Sequence, residues 1–138
     1  MPILTRVFVK TALVYLIAAL FAGVLLAART VFNTADSLAA LTPVYFHLFM
    51  VGWVLQLIFG MIYWMFPKYT RERPRGNDAI TWAVYYLLNA GLLLRVVGES
   101  MQAAAGESWG WLLPASALLQ WLAGVLFVIN TWPRIKER

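Results

Sequence analysis

Residues 43–66, PVYFHLFMVGWVLQLIFGMIYWMF, form an almost uninterrupted apolar run that contains one histidine, His47. A run of roughly 20 residues is long enough to cross the hydrocarbon core of a bilayer as an α-helix, because each residue adds about 1.5 Å. A helix is expected because lipid offers no hydrogen-bond partner to backbone amides. His47 is the only histidine of the chain. An ionisable group at membrane depth is a candidate functional residue.

Three further apolar runs of similar length accompany this one, at about 7–28, 79–102 and 111–132. The chain has 138 residues, of which 62% are hydrophobic and 12% charged. This balance is typical of a bundle immersed in lipid and unlike that of a soluble domain of this size. We find no internal repeat that would divide the chain. The sequence therefore predicts a single domain, 1–138, built as an all-α bundle of four transmembrane helices.

The net charge of +5 could indicate a nucleic-acid partner, but the positive residues cluster at the ends of the apolar runs. The N-terminal segment, the loop 67–77 and the tail 133–138 carry them, whereas the other two loops carry only Arg29. Cytoplasmic loops of membrane proteins are enriched in Lys and Arg. We therefore predict an integral protein of a prokaryotic inner membrane with both termini and the middle loop in the cytoplasm. We expect no nucleic-acid binding.

His47 lies about one turn inside the outer end of the second run. The residues that follow it at a spacing of 100° per residue are apolar: Met50, Val54, Ile58, Met61 and Met65. A flat macrocycle lying along the helix would need such an apolar wall with one nitrogen ligand near its top. An imidazole that hydrogen-bonds a neighbouring helix explains the same residue without any cofactor. Both interpretations stay open on spacing alone.

Arg95 and Glu99 lie four residues apart in the outer half of the third run, so their side chains share one helix face. Neither charge is expected to face lipid. One interpretation is an ion pair that neutralises itself and packs against a neighbouring helix or subunit. The other is that Arg95 binds an anionic group, because Arg makes charge-assisted, often bidentate bonds to carboxylates.

Gly52, Gln56 and Gly60 recur at every fourth residue of the second run, on a different side from His47. Small residues at this spacing let two helices approach closely, and a glutamine can hydrogen-bond across the contact. We therefore interpret this stripe as a helix-packing surface. The same interpretation applies to Gln120 and Gly124 in the fourth run.

Several kinds of chemistry are excluded by what the sequence lacks. It contains no cysteine, no HExxH motif, no glycine-rich phosphate loop and no nucleophile beside a base. One histidine cannot supply a copper site that needs three. We predict no catalytic residue and do not expect the chain by itself to be an enzyme.

The stretch His47-Leu-Phe-Met-Val-Gly52-Trp53, continued by Gly60-Met-Ile-Tyr-Trp64-Met-Phe-Pro67, resembles the second helix of the haem-copper oxidase and nitric oxide reductase catalytic subunit. In that family a histidine near the outer end of this helix is an axial ligand of the low-spin haem. The family's large subunit contains twelve helices arranged as three four-helix units, and this chain resembles one unit. The second histidine of the low-spin site and the ligands of the oxygen-binding haem and of copper have no counterpart here. The resemblance therefore does not imply reduction of oxygen or nitric oxide by one chain.

The resemblance implies a membrane protein that binds haem b, with His47 as the axial ligand of the iron and Arg95 paired with a propionate. The second axial ligand would come from Met50 or from another subunit. Two assemblies would agree with the resemblance. One is a trimer that resembles the twelve-helix subunit, and the other is a dimer with two His47 rings on opposite faces of one haem. Electron transfer or redox sensing would be the role, with the bilayer, further copies and a respiratory-chain protein as partners.

Two alternatives remain open at this stage. One is a non-catalytic accessory or assembly subunit of a respiratory complex, in which the glycine stripe, Arg95 and Glu99 make protein contacts only. The other is a small oligomeric transporter, in which His47, Arg95 and Glu99 line a path through the membrane.

Overall fold

The computed structural model describes residues 1–32, 41–106 and 109–135, and within these ranges the protein is all-helical without a strand. Four stretches are long and apolar enough to cross a membrane. We call them spans 1 to 4, in the order Ile3–Arg29, Leu41–Met65, Asp78–Ala104 and Leu112–Arg134. Two of the predicted apolar runs lie within these spans, and the other two extend beyond them by one residue each. The prediction of an all-α membrane protein with four candidate transmembrane helices is therefore confirmed.

The spans are built from five α-helices and two shorter elements of other helical types. Helix α1 is Ile3–Phe32, α4 is Asp78–Ala105, and α5 is Leu112–Thr131, continued by a 3-10 turn at Trp132–Arg134. Span 2 consists of three consecutive segments: α2 (Leu41–His47), a π-helix (Leu48–Leu55) and α3 (Gln56–Met65).

The π-helical segment in span 2 was not predicted from the sequence. At its end the amide of Gln56 donates to the carbonyl of Val51, five residues back. Because such a segment has more residues per turn than an α-helix, the spacing of 100° per residue does not hold across it. The apolar face predicted to continue from His47 is therefore shifted around the helix beyond Leu48. Met50, Ile58 and Met65 of that face lie exposed on the outer surface of the bundle.

Neighbouring spans run antiparallel and pack as two hairpins. Span 2 passes span 1 so closely that side chains of span 1 fill the space beside Gly52 and Gly60. Span 3 packs against span 4 in the same way at Gly91 and Gly98. Two clusters of buried apolar side chains join the hairpins: one contains Leu4, Phe8, Phe59, Tyr63, Val84, Leu88 and Ala123, and the other contains Ala19, Val44, Leu48 and Leu92.

One end of the bundle, which we call the proximal end, holds the loop between spans 2 and 3 and the last described residues. Phe66 has an extended backbone before Pro67, which ends span 2. Asn77 caps span 3 by accepting a hydrogen bond from the amide of Ala79 at 2.9 Å. The opposite end, where span 2 begins and span 3 ends at Gly106, is the distal end.

Arg134 joins the end of the chain to the end of span 2. Its guanidinium donates to the carbonyl oxygens of Tyr63, Phe66 and Pro67 at 3.2, 2.8 and 3.1 Å. The last carbonyls of a helix have no partner within the helix, so a cation placed there satisfies them and complements the helix dipole. Only 1% of Arg134 is exposed. It therefore closes the proximal end of the bundle.

We predict that Arg134→Met destabilises the folded protein by about 2–4 kcal/mol, because three carbonyls at the end of span 2 lose their charged donor. Unfolding in mild detergent, followed by circular dichroism, measures the change. Arg71→Met is the matched control, since Arg71 is exposed and lies in the loop. Equal effects of the two substitutions would contradict the role of Arg134 as a cap.

Candidate functional site

His47 is the last residue of α2, near the distal end, and its imidazole is anchored to its own helix. Its Nδ1 lies 2.8 Å from the carbonyl oxygen of Pro43, one turn earlier. A carbonyl oxygen can only accept, so Nδ1 carries the proton and donates it. In the neutral ring Nε2 is then an unprotonated nitrogen with a lone pair. Histidines that bind metals commonly make this bond with the nitrogen that does not bind the metal.

The surroundings of His47 place it at the edge of the bundle. Val44 and Leu48 on the same turn are buried against spans 1 and 3, whereas 56% of Phe46 and 54% of Met50 is exposed. The ring of Tyr45 occupies the space beside Gly23 of span 1. His47 follows Tyr45 by two residues, which corresponds to about 200° of rotation around the helix. His47 therefore lies on the flank of span 2 that faces away from span 1.

An open apolar groove lies on the lipid-facing side between spans 2 and 4. Its volume is about 570 Å³, and its lining comprises Leu55, Phe59, Trp121, Gly124, Val125, Phe127, Val128 and Ile129. Among its lining residues, the rings of Phe59 and Phe127 stack with their centroids 3.8 Å apart. It begins about two π-helical turns beyond His47 on the same span.

Arg95 and Glu99 form the ion pair that their spacing predicts. Arg95 Nε lies 2.8 Å from Glu99 Oε1, and 22% and 13% of the two side chains is exposed. Leu92 and Val96, which flank Arg95, pack in the same cluster as Val44 and Leu48 of span 2. Arg95 therefore lies at the depth of His47, as expected. The described structure contains no hydrogen bond between His47 and Arg95.

Gly52 and Gly60 are packing residues, as predicted. A Cβ at Gly52 would lie 2.8 Å from Tyr15 Cγ and 2.9 Å from Leu92 Cδ2. At Gly60 it would lie 2.8 Å from Phe8 Cβ. All three distances are shorter than carbon atoms tolerate, so span 1 can approach span 2 this closely only because both positions lack a side chain.

The interpretation of these stripes as helix-packing surfaces holds for the position of Gln56 and is wrong for Gly124. Gln56 is fully buried, but its side chain makes no hydrogen bond across the helix contact within the described residues. Gly124 has no atom within 4 Å of a Cβ position, so it is not at a helix contact and lines the groove instead. Gln120 does lie at a contact, beside Gly91, although its buried Nε2 has no partner there.

A group of polar side chains between spans 1 and 3 was missed by the sequence analysis. Tyr15 Oη donates to Asn89 Oδ1 at 2.9 Å, and Asn89 Nδ2 donates to the carbonyl of Tyr85 at 2.8 Å. The hydroxyls of Thr11 and Tyr85 lie 2.9 Å apart. The signal was present, since these residues recur at a spacing of four within two apolar runs, at 11 and 15 and at 85 and 89.

Within the described residues no group of three or more His, Cys, Asp or Glu side chains could hold a metal ion. A bare metal ion therefore finds no set of ligands there. A haem iron differs, because the porphyrin supplies four ligands and the protein needs to supply only one or two. The free Nε2 of His47 fits that requirement.

Comparison of the chain with family models, with curated proteins and with solved structures gives no match. The similarity of residues 47–67 to a haem-copper oxidase helix thus stays a resemblance of sequence pattern.

We predict that Gly52→Ala destabilises the protein by about 1–3 kcal/mol, because the new methyl group displaces Tyr15 and weakens its bond to Asn89. Gly124→Ala is the matched control: it adds the same methyl group to open space, and a change within about 0.5 kcal/mol is expected. Thermal unfolding of both variants in one detergent measures the difference. Similar losses at both positions would contradict the close approach at Gly52.

A second prediction concerns the ion pair. Arg95→Leu leaves the largely buried Glu99 carboxylate unpaired and is expected to destabilise the protein by about 3 kcal/mol. The double variant Arg95→Leu/Glu99→Leu should recover most of this loss, because no charge is then left without a partner. Unfolding midpoints of the single and double variants test this. A double variant as unstable as Arg95→Leu would show that the pair does not neutralise itself.

Proposed function

We propose that this integral membrane protein binds haem b through His47 and serves electron transfer or redox sensing. The observation that supports the proposal is the hydrogen bond from His47 Nδ1 to Pro43 O, which orients the ring and leaves Nε2 free to bind iron. A bound haem would supply the one-electron chemistry. The chain's own part is to hold the iron at the distal end and to cover the macrocycle with apolar side chains.

The second axial ligand is assigned to another copy of the chain. Met50 follows His47 by three residues on the same span, and both side chains would therefore approach an iron from the same side. A second His47 from a neighbouring copy approaches from the opposite side. The partly buried position of His47, next to the exposed Phe46 and Met50, suits an interface between copies. The proposal thus includes a homo-oligomer, a dimer or a trimer.

Arg95 is proposed to bind a haem propionate while it keeps its pair with Glu99. The ion pair is a close contact of the guanidinium Nε with Glu99 Oε1 that lacks hydrogen-bond geometry. The four N–H donors on the two terminal nitrogens remain for a second carboxylate. Arg95 can therefore act as a positioning residue for the haem at the depth of His47.

The proposal places the proximal end of the bundle in the cytoplasm of a prokaryotic cell. Arg6, Lys10, Lys68, Arg71 and Arg73 lie exposed there, and an excess of Lys and Arg is typical of cytoplasmic ends. The tail residues Lys136 and Arg138, which contribute to the same prediction, lie outside the described residues. The haem would then lie in the outer half of the membrane.

We expect protein purified from haem-replete cells to show a Soret band that is lost in His47→Gly. Addition of free imidazole to His47→Gly should restore the band, because imidazole can occupy the space of the missing ring and bind the iron. Met50→Leu is the control and should keep the band. A colourless wild-type preparation that stays colourless after haem is added would contradict the proposal.

A second candidate function is that of a non-catalytic subunit of a larger membrane complex. The observation that favours it is the ion pair Arg95–Glu99, which already neutralises both charges without an external group. Purification from the native membrane distinguishes the two. Recovery of the chain at a fixed ratio with a respiratory enzyme, and without its own pigment, would favour the subunit.

A further inference from the structure

Gln56 occupies the middle of the bundle, and its amide has no hydrogen-bond partner among the described residues. The residue is fully buried, and both Oε1 and Nε2 are inaccessible and unbonded. Two unsatisfied polar atoms on one buried side chain are rare in folded proteins and call for an explanation. Inside a membrane the two amide atoms cannot bond to bulk water, even when the protein opens locally. The free-energy cost of leaving them unpaired therefore remains.

The position of Gln56 can be read from its two glycine neighbours. Gly52 contacts Tyr15 of span 1, and Gly60 contacts Phe8. Gln56 lies between the two glycines on the same face, so it faces the part of span 1 between Phe8 and Tyr15. That part contains Thr11 and the fully buried Ala12.

The hydroxyl pair of Thr11 and Tyr85 lies in the same layer of the bundle. Phe8 contacts Tyr85 edge to face, with ring centroids 5.3 Å apart, which places Tyr85 beside this part of span 1. The two hydroxyls are 2.9 Å apart, and either can be the donor. Whichever hydroxyl accepts still has its own proton to donate. The layer therefore contains a spare O–H donor, the Gln56 Oε1 acceptor and the two N–H donors of Gln56 Nε2.

We propose that Gln56 holds an internal water molecule that bridges its amide to the Thr11–Tyr85 hydroxyl pair. Water both donates and accepts, so one molecule can accept from Gln56 Nε2 or from a hydroxyl and donate to Gln56 Oε1. Buried waters typically make about three such bonds to polar groups that lack other partners. Thr5 Oγ1, fully buried and unbonded on the same face of span 1, is a second polar atom at this helix contact. The hydration site links spans 1, 2 and 3 at the middle of the membrane.

Magnetic resonance of the wild-type protein tests the water directly. The chain contains three glutamines, Gln56, Gln102 and Gln120, so labelling with ¹⁵N-glutamine gives three side-chain amides. We expect cross-relaxation peaks between the Gln56 amide protons and water in both a laboratory-frame and a rotating-frame experiment, with opposite signs in the two. Opposite signs mark a bound water, because proton exchange gives the same sign in both experiments. A Gln56 amide without such a peak would overturn the proposal.

Stability measurements in detergent provide an independent test through a double-mutant cycle of Gln56→Leu and Tyr85→Phe. With a bridging water, Gln56→Leu lowers the folding equilibrium constant about fivefold or more, and the double variant loses less than the product of the single effects. If the amide has no partner, its removal raises the constant instead, and the two substitutions act independently. That result would overturn the proposal. Gln120→Leu with Tyr85→Phe is the control cycle, since Gln120 lies against Gly91 at the contact of spans 3 and 4.

Discussion

Lipid offers a polar group no hydrogen-bond partner, so polar side chains inside a bilayer bond mainly within the protein, and the contacts between the spans depend on this constraint. Tyr15 reaches Asn89 because Gly52 leaves space for its ring. Arg134 closes the end of span 2 by donating to its last carbonyls. Arg95 pairs with Glu99 on its own helix. In the first two cases a polar atom determines how two segments of the chain meet, whereas the Arg95–Glu99 pair lies within one helix.

The same constraint sets His47 apart from the other polar residues. Its Nδ1 is satisfied by a carbonyl of its own helix, so the ring is not required to hold two spans together. The remaining nitrogen is a ligand atom at the edge of the bundle, beside exposed apolar side chains. A structural histidine would be expected to bond a neighbouring span. This geometry supports the proposed role of His47 towards a group outside this chain, and our proposal for that group is a haem shared between copies.

The sequence predicts those features that depend on composition and on regular helical spacing. The four spans follow from hydrophobicity, the Arg95–Glu99 pair from a separation of four residues, and the contacts of Gly52 and Gly60 from their missing side chains. The π-helical segment at Leu48–Leu55 could not be predicted, because its sequence, LFMVGWVL, is as compatible with an α-helix. Arg134 binds carbonyls about 70 residues earlier, so local pattern gives no sign of it. Gly124 shows that small residues at the same spacing pack only where a neighbouring helix is present.

The most direct test of the account is the state of the two imidazole nitrogens of His47, which can be labelled alone because the chain has one histidine. In ¹⁵N-histidine protein without haem, we predict that Nδ1 carries the proton that it donates to Pro43 O. On addition of ferric haem b, the Nε2 signal should acquire the hyperfine shift of a nitrogen bound to iron, while Nδ1 keeps its proton. A ring protonated on Nε2, or an Nε2 signal unchanged by haem, would contradict the account.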